Sequence, residues 1–169
     1  YNRNRRRIYV ISNKELITTL VDVHHLYLRK TFRHLFGLVK ELADGGDEGA
    51  AALVPEIETA VGALDDHFRE EEENLFPKIL KAEEAVKTGS AEYYEVLIRD
   101  LISEHEETKA FFEKAVVWSE SVAGIKKNAE LSGGFVTLAV VLNAHILIEE
   151  ELLFPRAEAM FKNTSGSGL

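Results

Sequence analysis

Apolar residues recur every three or four positions through most of the chain, the period of an amphipathic helix, and no stretch alternates with the period of two expected of a half-buried strand. Ser12 with Glu15 has the form of a capping box, and the stripe Ile17, Val21, Leu28, Phe32, Leu35, Val39, Leu42 then runs to Asp44-Gly45-Gly46. A second stripe, Leu53, Ile57, Val61, Leu64, Phe68, Leu75 and Ile79, stops before Thr88-Gly89-Ser90, with Pro55 suited to its first turn. The third, Tyr94, Ile98, Leu101, Phe112 and Val116, ends near Gly124, and the fourth extends from about Glu130 to Met160. Pro77 and Pro155 fall late in the second and fourth segments and predict kinks there. Four long segments joined by short polar links predict an all-α, antiparallel up-down four-helix bundle. The domain is expected over residues 13–162, after a basic N-terminal segment (1–12) and before a polar tail (163–169) that has the composition of a flexible linker left by cloning.

The chain is 169 residues long, enough for one domain with a sizeable core. Its 20 basic and 29 acidic residues give a net charge of −9, with Arg3, Arg5, Arg6 and Arg7 the only dense basic run, so a nucleic-acid partner is not expected. It contains no cysteine, which removes disulfides, thiolate zinc sites and iron-sulfur ligation and leaves His and carboxylate as the available metal ligands. Asn143, His145 and Glu149 interrupt the most apolar stretch, around Phe135 to Phe154, and the N-terminus lacks the form of a signal peptide. A soluble, cytoplasmic protein without a membrane partner is therefore expected.

The informative feature is a repeat. His67-Phe68-Arg69-Glu70-Glu71 and His145-Ile146-Leu147-Ile148-Glu149 each place a Glu one helical turn after a His, and each is followed by Leu-Phe-Pro, at Leu75-Phe76-Pro77 and Leu153-Phe154-Pro155. Upstream of each copy lies a single His on the preceding helix, His25 and His105, so the chain reads as a duplicated helical hairpin. At about 100° per residue, His67 and Glu71 fall within the stripe of Leu53, Ile57, Leu64 and Leu75, while Glu70, Glu72 and Glu73 turn away. His105 lies between Leu101 and Phe112, and His145 with Glu149 shares a face with Leu138, Leu142 and Leu152.

Packing alone asks for no buried acid, and no inward Lys or Arg accompanies the repeat to balance one. Cations would. Four imidazoles and two carboxylates suit two first-row metal ions, with His25 and His67 expected on one, His105 and His145 on the other, and Glu71 and Glu149 as bridges. On the first helix, His24 fits the broad apolar stripe slightly better than His25, and periodicity does not choose between them; His34 is expected to face solvent. Glu104, Glu150 and Tyr27 are candidates to orient imidazoles, although ordinary surface or boundary polarity accounts for each of them more readily.

This pattern resembles the hemerythrin-like, or HHE cation-binding, family over most of Glu15 to Phe161. With Glu104-His105 on the intervening helix and His25 before Tyr27-Leu28-Arg29, it looks most like the branch of di-iron proteins that repair iron-sulfur clusters. The resemblance favours His25 over His24. It implies a non-haem di-iron centre with oxo and carboxylate bridges, in which His25, His67, His105 and His145 are terminal ligands and Glu71 and Glu149 bridge. The chain departs from the repair pattern in having no further His within Glu41 to Gly49, and from oxygen-carrying hemerythrins in having Leu101 and Lys109 one turn either side of His105. The activity implied is binding of, or reaction with, O2, NO or peroxide, with an iron-sulfur protein as client or redox partner. The alternative is an iron- or oxygen-sensing module without catalysis.

Overall fold

The structure is a computed structural model that describes the backbone of residues 11–84 and 91–165. Arg3 to Arg7, the Thr88-Gly89-Ser90 link, the Tyr94 side chain and the last residues of the tail lie outside what is described.

Four long helices and one short one make up the described residues, with no strand among them. Helix α1 comprises Asn13–Thr19, a π-helical turn at Leu20–His25, and Leu26–Asp44. Helix α2 comprises Glu48–Glu70, a π turn at Glu71–Leu75, and Phe76–Glu84. Helix α3 is Ala91–Ser121, and the short α4 is Ala123–Lys127. Helix α5 comprises Ala129–Ile148, a π turn at Glu149–Leu153, and Phe154–Ser165, so its last turn extends into the segment read as a tail.

Local sequence sets these limits. Ser12 and Glu15 form the reciprocal capping box that opens α1. At its end Gly46 takes a φ of 93°, a conformation open to glycine, and Asp47 then caps α2 by accepting a hydrogen bond from the Ala50 amide at 2.8 Å. Because the cap is Asp47, α2 starts seven residues ahead of Pro55. That proline thus sits inside the helix rather than in its first turn, where it leaves the Ala51 carbonyl without an amide donor. Gly124 lies within α4 rather than ending α3, which stops at Ser121.

The kinks expected at Pro77 and Pro155 take the form of π turns just upstream. The Phe76 amide donates to the Glu71 carbonyl and the Phe154 amide to the Glu149 carbonyl, five residues back. A proline cannot donate to the turn before it, and widening that turn absorbs the lost bond while the helix continues. The π turn of α1 has no proline and ends at His25, whereas the other two begin at Glu71 and Glu149.

Helices α1 and α2 pack as one antiparallel hairpin and α3 and α5 as the other. Gly134 marks a close approach of α5 to α1, where a Cβ would lie 2.6 Å from the Leu35 side chain. The core divides into two hydrophobic clusters. One holds Phe32, Leu35, Phe112, Phe135 and Leu142, and the other Leu20, Leu75, Ile98, Leu153 and Phe161. Between them lies a layer of buried polar side chains: His25, His67, Glu71, His105, His145 and Glu149, none more than 5% exposed. Helix α5 is more apolar than its three polar residues suggested: over Ala129–Phe161 its length and a window mean hydropathy of 1.9 meet the requirements of a membrane span. In the bundle, Phe135, Leu138, Leu142 and His145 of this helix are core.

Candidate metal centre

Each helix of the bundle brings its histidine to the same level. Of the two neighbours on α1, His25 is fully buried while His24 lies at the edge of the layer. His34 is exposed and pairs with Glu130 at 2.8 Å. Donor atoms of His67, Glu71, His105, His145 and Glu149 all lie within 4.8 Å of one another. His25 joins them through Glu71, with its Nε2 3.4 Å from Oε2.

The rings pair differently from the sequence-based expectation. His67 meets His105, Nε2 to Nε2, at 3.1 Å, and His25 meets His145 edge to face with ring centres 5.0 Å apart. Facing histidines therefore come from adjoining helices of opposite hairpins, not from within one. Both carboxylates connect the two pairs. Glu71 reaches His67 with Oε1 at 3.3 Å and His25 with Oε2, while Glu149 Oε2 is 3.1 Å from both His105 and His145.

Around this centre, three acids take up the outer ring nitrogens. His25 Nδ1 meets Glu72 at 2.7 Å, His67 Nδ1 meets Glu104 at 2.6 Å, and His105 Nδ1 meets Glu150 at 2.9 Å. Glu104 and Glu150 thus orient imidazoles. Tyr27 is instead exposed on the surface of α1. Glu72, expected to face solvent, was missed because the π turn changes the angular step at that point and brings it beside α1, where Arg29 also donates to it at 2.7 Å. Aromatic rings close the layer: Phe68 stacks on His25 at 4.0 Å and Phe154 lies parallel to His105 at 6.0 Å.

The electrostatics call for positive charge. Both oxygens of Glu71 and both of Glu149, with His25 Nε2 and both nitrogens of His145, are buried without a hydrogen-bond partner. A neutral imidazole that gives its Nδ1 proton to a carboxylate turns a lone pair inward from Nε2. His67 and His105 both do so, and two lone pairs 3.1 Å apart repel unless a cation lies against both. That spacing is close to the roughly 3.0 Å between two nitrogens bound at about 2.1 Å to one ion and at a right angle. Without an ion, protons take up part of the role. Burial and the neighbouring Glu149 push the Glu71 carboxyl up. Burial works against the His67 cation, but Glu71 and Glu104 outweigh it and raise its pKa to about 9. Glu149, despite burial, is held below the usual carboxylate range by His145 and His105. The residues thus fit bound metal, with His25 and His145 facing each other on one side, His67 and His105 on the other, and Glu71 and Glu149 between them.

The comparisons agree with this geometry. Residues 16–157 match the family described as the hemerythrin HHE cation binding domain. No curated protein and no solved structure matches the chain. The family match spans most of the chain, from α1 to the last part of α5, and includes every residue of the buried polar layer, so this chain belongs to the hemerythrin HHE cation-binding family.

Proposed function

We propose that the protein is a cytoplasmic non-haem di-iron protein that binds or reacts with O2, NO or peroxide, acting in iron-sulfur cluster repair or in protection under stress. The observation that best supports this is the convergence of unpartnered nitrogen and carboxylate donors in a layer walled off from solvent. Two imidazoles and two shared carboxylates per ion leave coordination positions open, as in non-haem iron sites that take up small ligands. Iron in this layer would supply the electrons and the binding positions for the ligand.

The chain's own residues set the conditions. Glu72, Glu104 and Glu150 keep a proton on Nδ1 of three histidines and so present Nε2 to the centre. Phe68, Phe76 and Phe154, each at most 2% exposed, exclude bulk water and favour a small, weakly polar ligand. A cleft of about 1000 Å3 between α2 and α3 reaches His67 and Glu104 and offers a way in from the surface.

Stopped-flow mixing of the anaerobic, Fe(II)-loaded protein with each of the three ligands tests the proposal. An optical change with at least one of them on the millisecond to second scale is expected. An unchanged spectrum with all three would refute ligand chemistry and leave a metal-binding module.

A further inference from the structure

Three of the four central histidines have a carboxylate on the outer nitrogen, and the fourth does not. His145 is fully buried, its Nδ1 has no hydrogen-bond partner, and no acid stands behind it as Glu72, Glu104 and Glu150 stand behind the others. Beyond His25, Phe68 and His105, the next ring around it is His24, with centres 6.1 Å apart. His24 also keeps a buried Nδ1 without a partner, although the rest of its ring is at the edge of the layer. Burial lowers the pKa of the His24 ring, and the Val141 backbone, one turn before His145 on α5, acts against that by hydrogen bonding to it.

We propose that His24 is a positioning residue for His145, joined to it by one bridging water. The separation of the rings is too long for a direct hydrogen bond of about 2.9 Å between nitrogens and suits a single intervening water. The protons run in one direction. His145 binds metal through Nε2 and donates its Nδ1 proton to the water. The water donates to Nδ1 of His24, whose own proton is on Nε2. Both orphaned nitrogens are then satisfied without adding a charge.

The arrangement distinguishes the two metal positions. A carboxylate behind an imidazole makes it a more basic ligand than a neutral partner does, so His145 is the weakest donor of the four and the ion it shares with His25 the more loosely held. The inference rests on the metal-binding reading of the site, and the test separates the two.

Metal-free protein is titrated anaerobically with Co(II), followed by visible absorption, and the loaded protein is examined by proton NMR. Wild type should take up two ions and show four far-shifted, exchangeable Nδ1 protons. His24→Phe keeps a ring without an acceptor, and should lose about tenfold or more in affinity for the weaker ion and one of the four resonances, through exchange with water. His24→Asn places a carbonyl oxygen near the position of Nδ1 and should retain both ions and all four resonances. Unaltered affinity and four resonances in His24→Phe, or equal losses in both variants, would overturn the role of His24. A wild-type chain that binds no cobalt would overturn the metal reading itself.

Discussion

Nε2 of His67 faces Nε2 of His105 at 3.1 Å, across the boundary between the two hairpins, while each ring is held from behind by a glutamate on another helix. Apolar packing alone does not create that relationship. It brings two donors together at a point where only a cation or a proton relieves them, and the bridging carboxylates extend the same demand to His25 and His145.

The cost of that demand should appear in the metal-free protein. Glu71 is fully buried with both oxygens unpartnered. Glu71→Leu should raise the stability of the metal-free chain by about 1–3 kcal/mol, read from urea denaturation, and abolish the stabilisation that metal gives to wild type. A variant both less stable without metal and still stabilised by it would contradict the burial argument.

Glu72 separates the structure from the helical wheel. Glu72→Ala should weaken metal binding by about 10- to 100-fold in a Co(II) titration, because His25 loses the partner on its Nδ1. Glu73→Ala, at an exposed position of the same turn, should leave binding unchanged. Equal effects from the two would place the π turn wrongly.

The response to pH should reverse when metal is added. In the metal-free chain His67 is raised from 6.5 to about 9, so the stability its proton contributes is complete below about pH 6.5 and is lost as pH rises through 9. His25 acts at the other end: burial, then its neighbour His145, lowers it from 6.5 to about 2, so stability also declines as pH falls below 6.5 and the unfolded chain takes up the proton. Metal requires neutral imidazoles, and its affinity should increase from about pH 6 to 9 with release of protons. Melting temperatures with and without Co(II) across this range should therefore diverge as pH rises; parallel curves would count against His67 as a ligand.

Gly134 gives a test of the packing that brings α5 to α1. A methyl group there meets Leu35 at 2.6 Å, and Gly134→Ala should cost about 1–3 kcal/mol in chemical denaturation despite alanine's better helix propensity. A gain in stability would mean the helices can separate freely at this level.

Much of this was legible in the sequence because the duplication printed it twice. His67 with Glu71 and His145 with Glu149 share one spacing and one Leu-Phe-Pro trailer, and the apolar stripes around them gave the helices and their inward faces. What could not be read depended on turns that depart from 100° per residue. Glu72 came inward through a π turn, and periodicity could not choose His25, which the resemblance favoured, over His24, because a similar turn in α1 sets which of the two is buried. The pairing of His67 with His105 and of His25 with His145 is a property of how the hairpins dock, which no single helix encodes. Pro55 was misplaced because Asp47, a stronger start signal, caps the helix eight residues earlier.

The central claim concerns what balances Glu71 and Glu149, and counting metal tests it most directly. Protein loaded anaerobically with Fe(II), freed of excess and analysed for iron should hold two ions per chain, and Glu149→Ala prepared in parallel should not hold the pair. Wild type that retains no iron, or a Glu149→Ala chain that still retains two, would contradict the account.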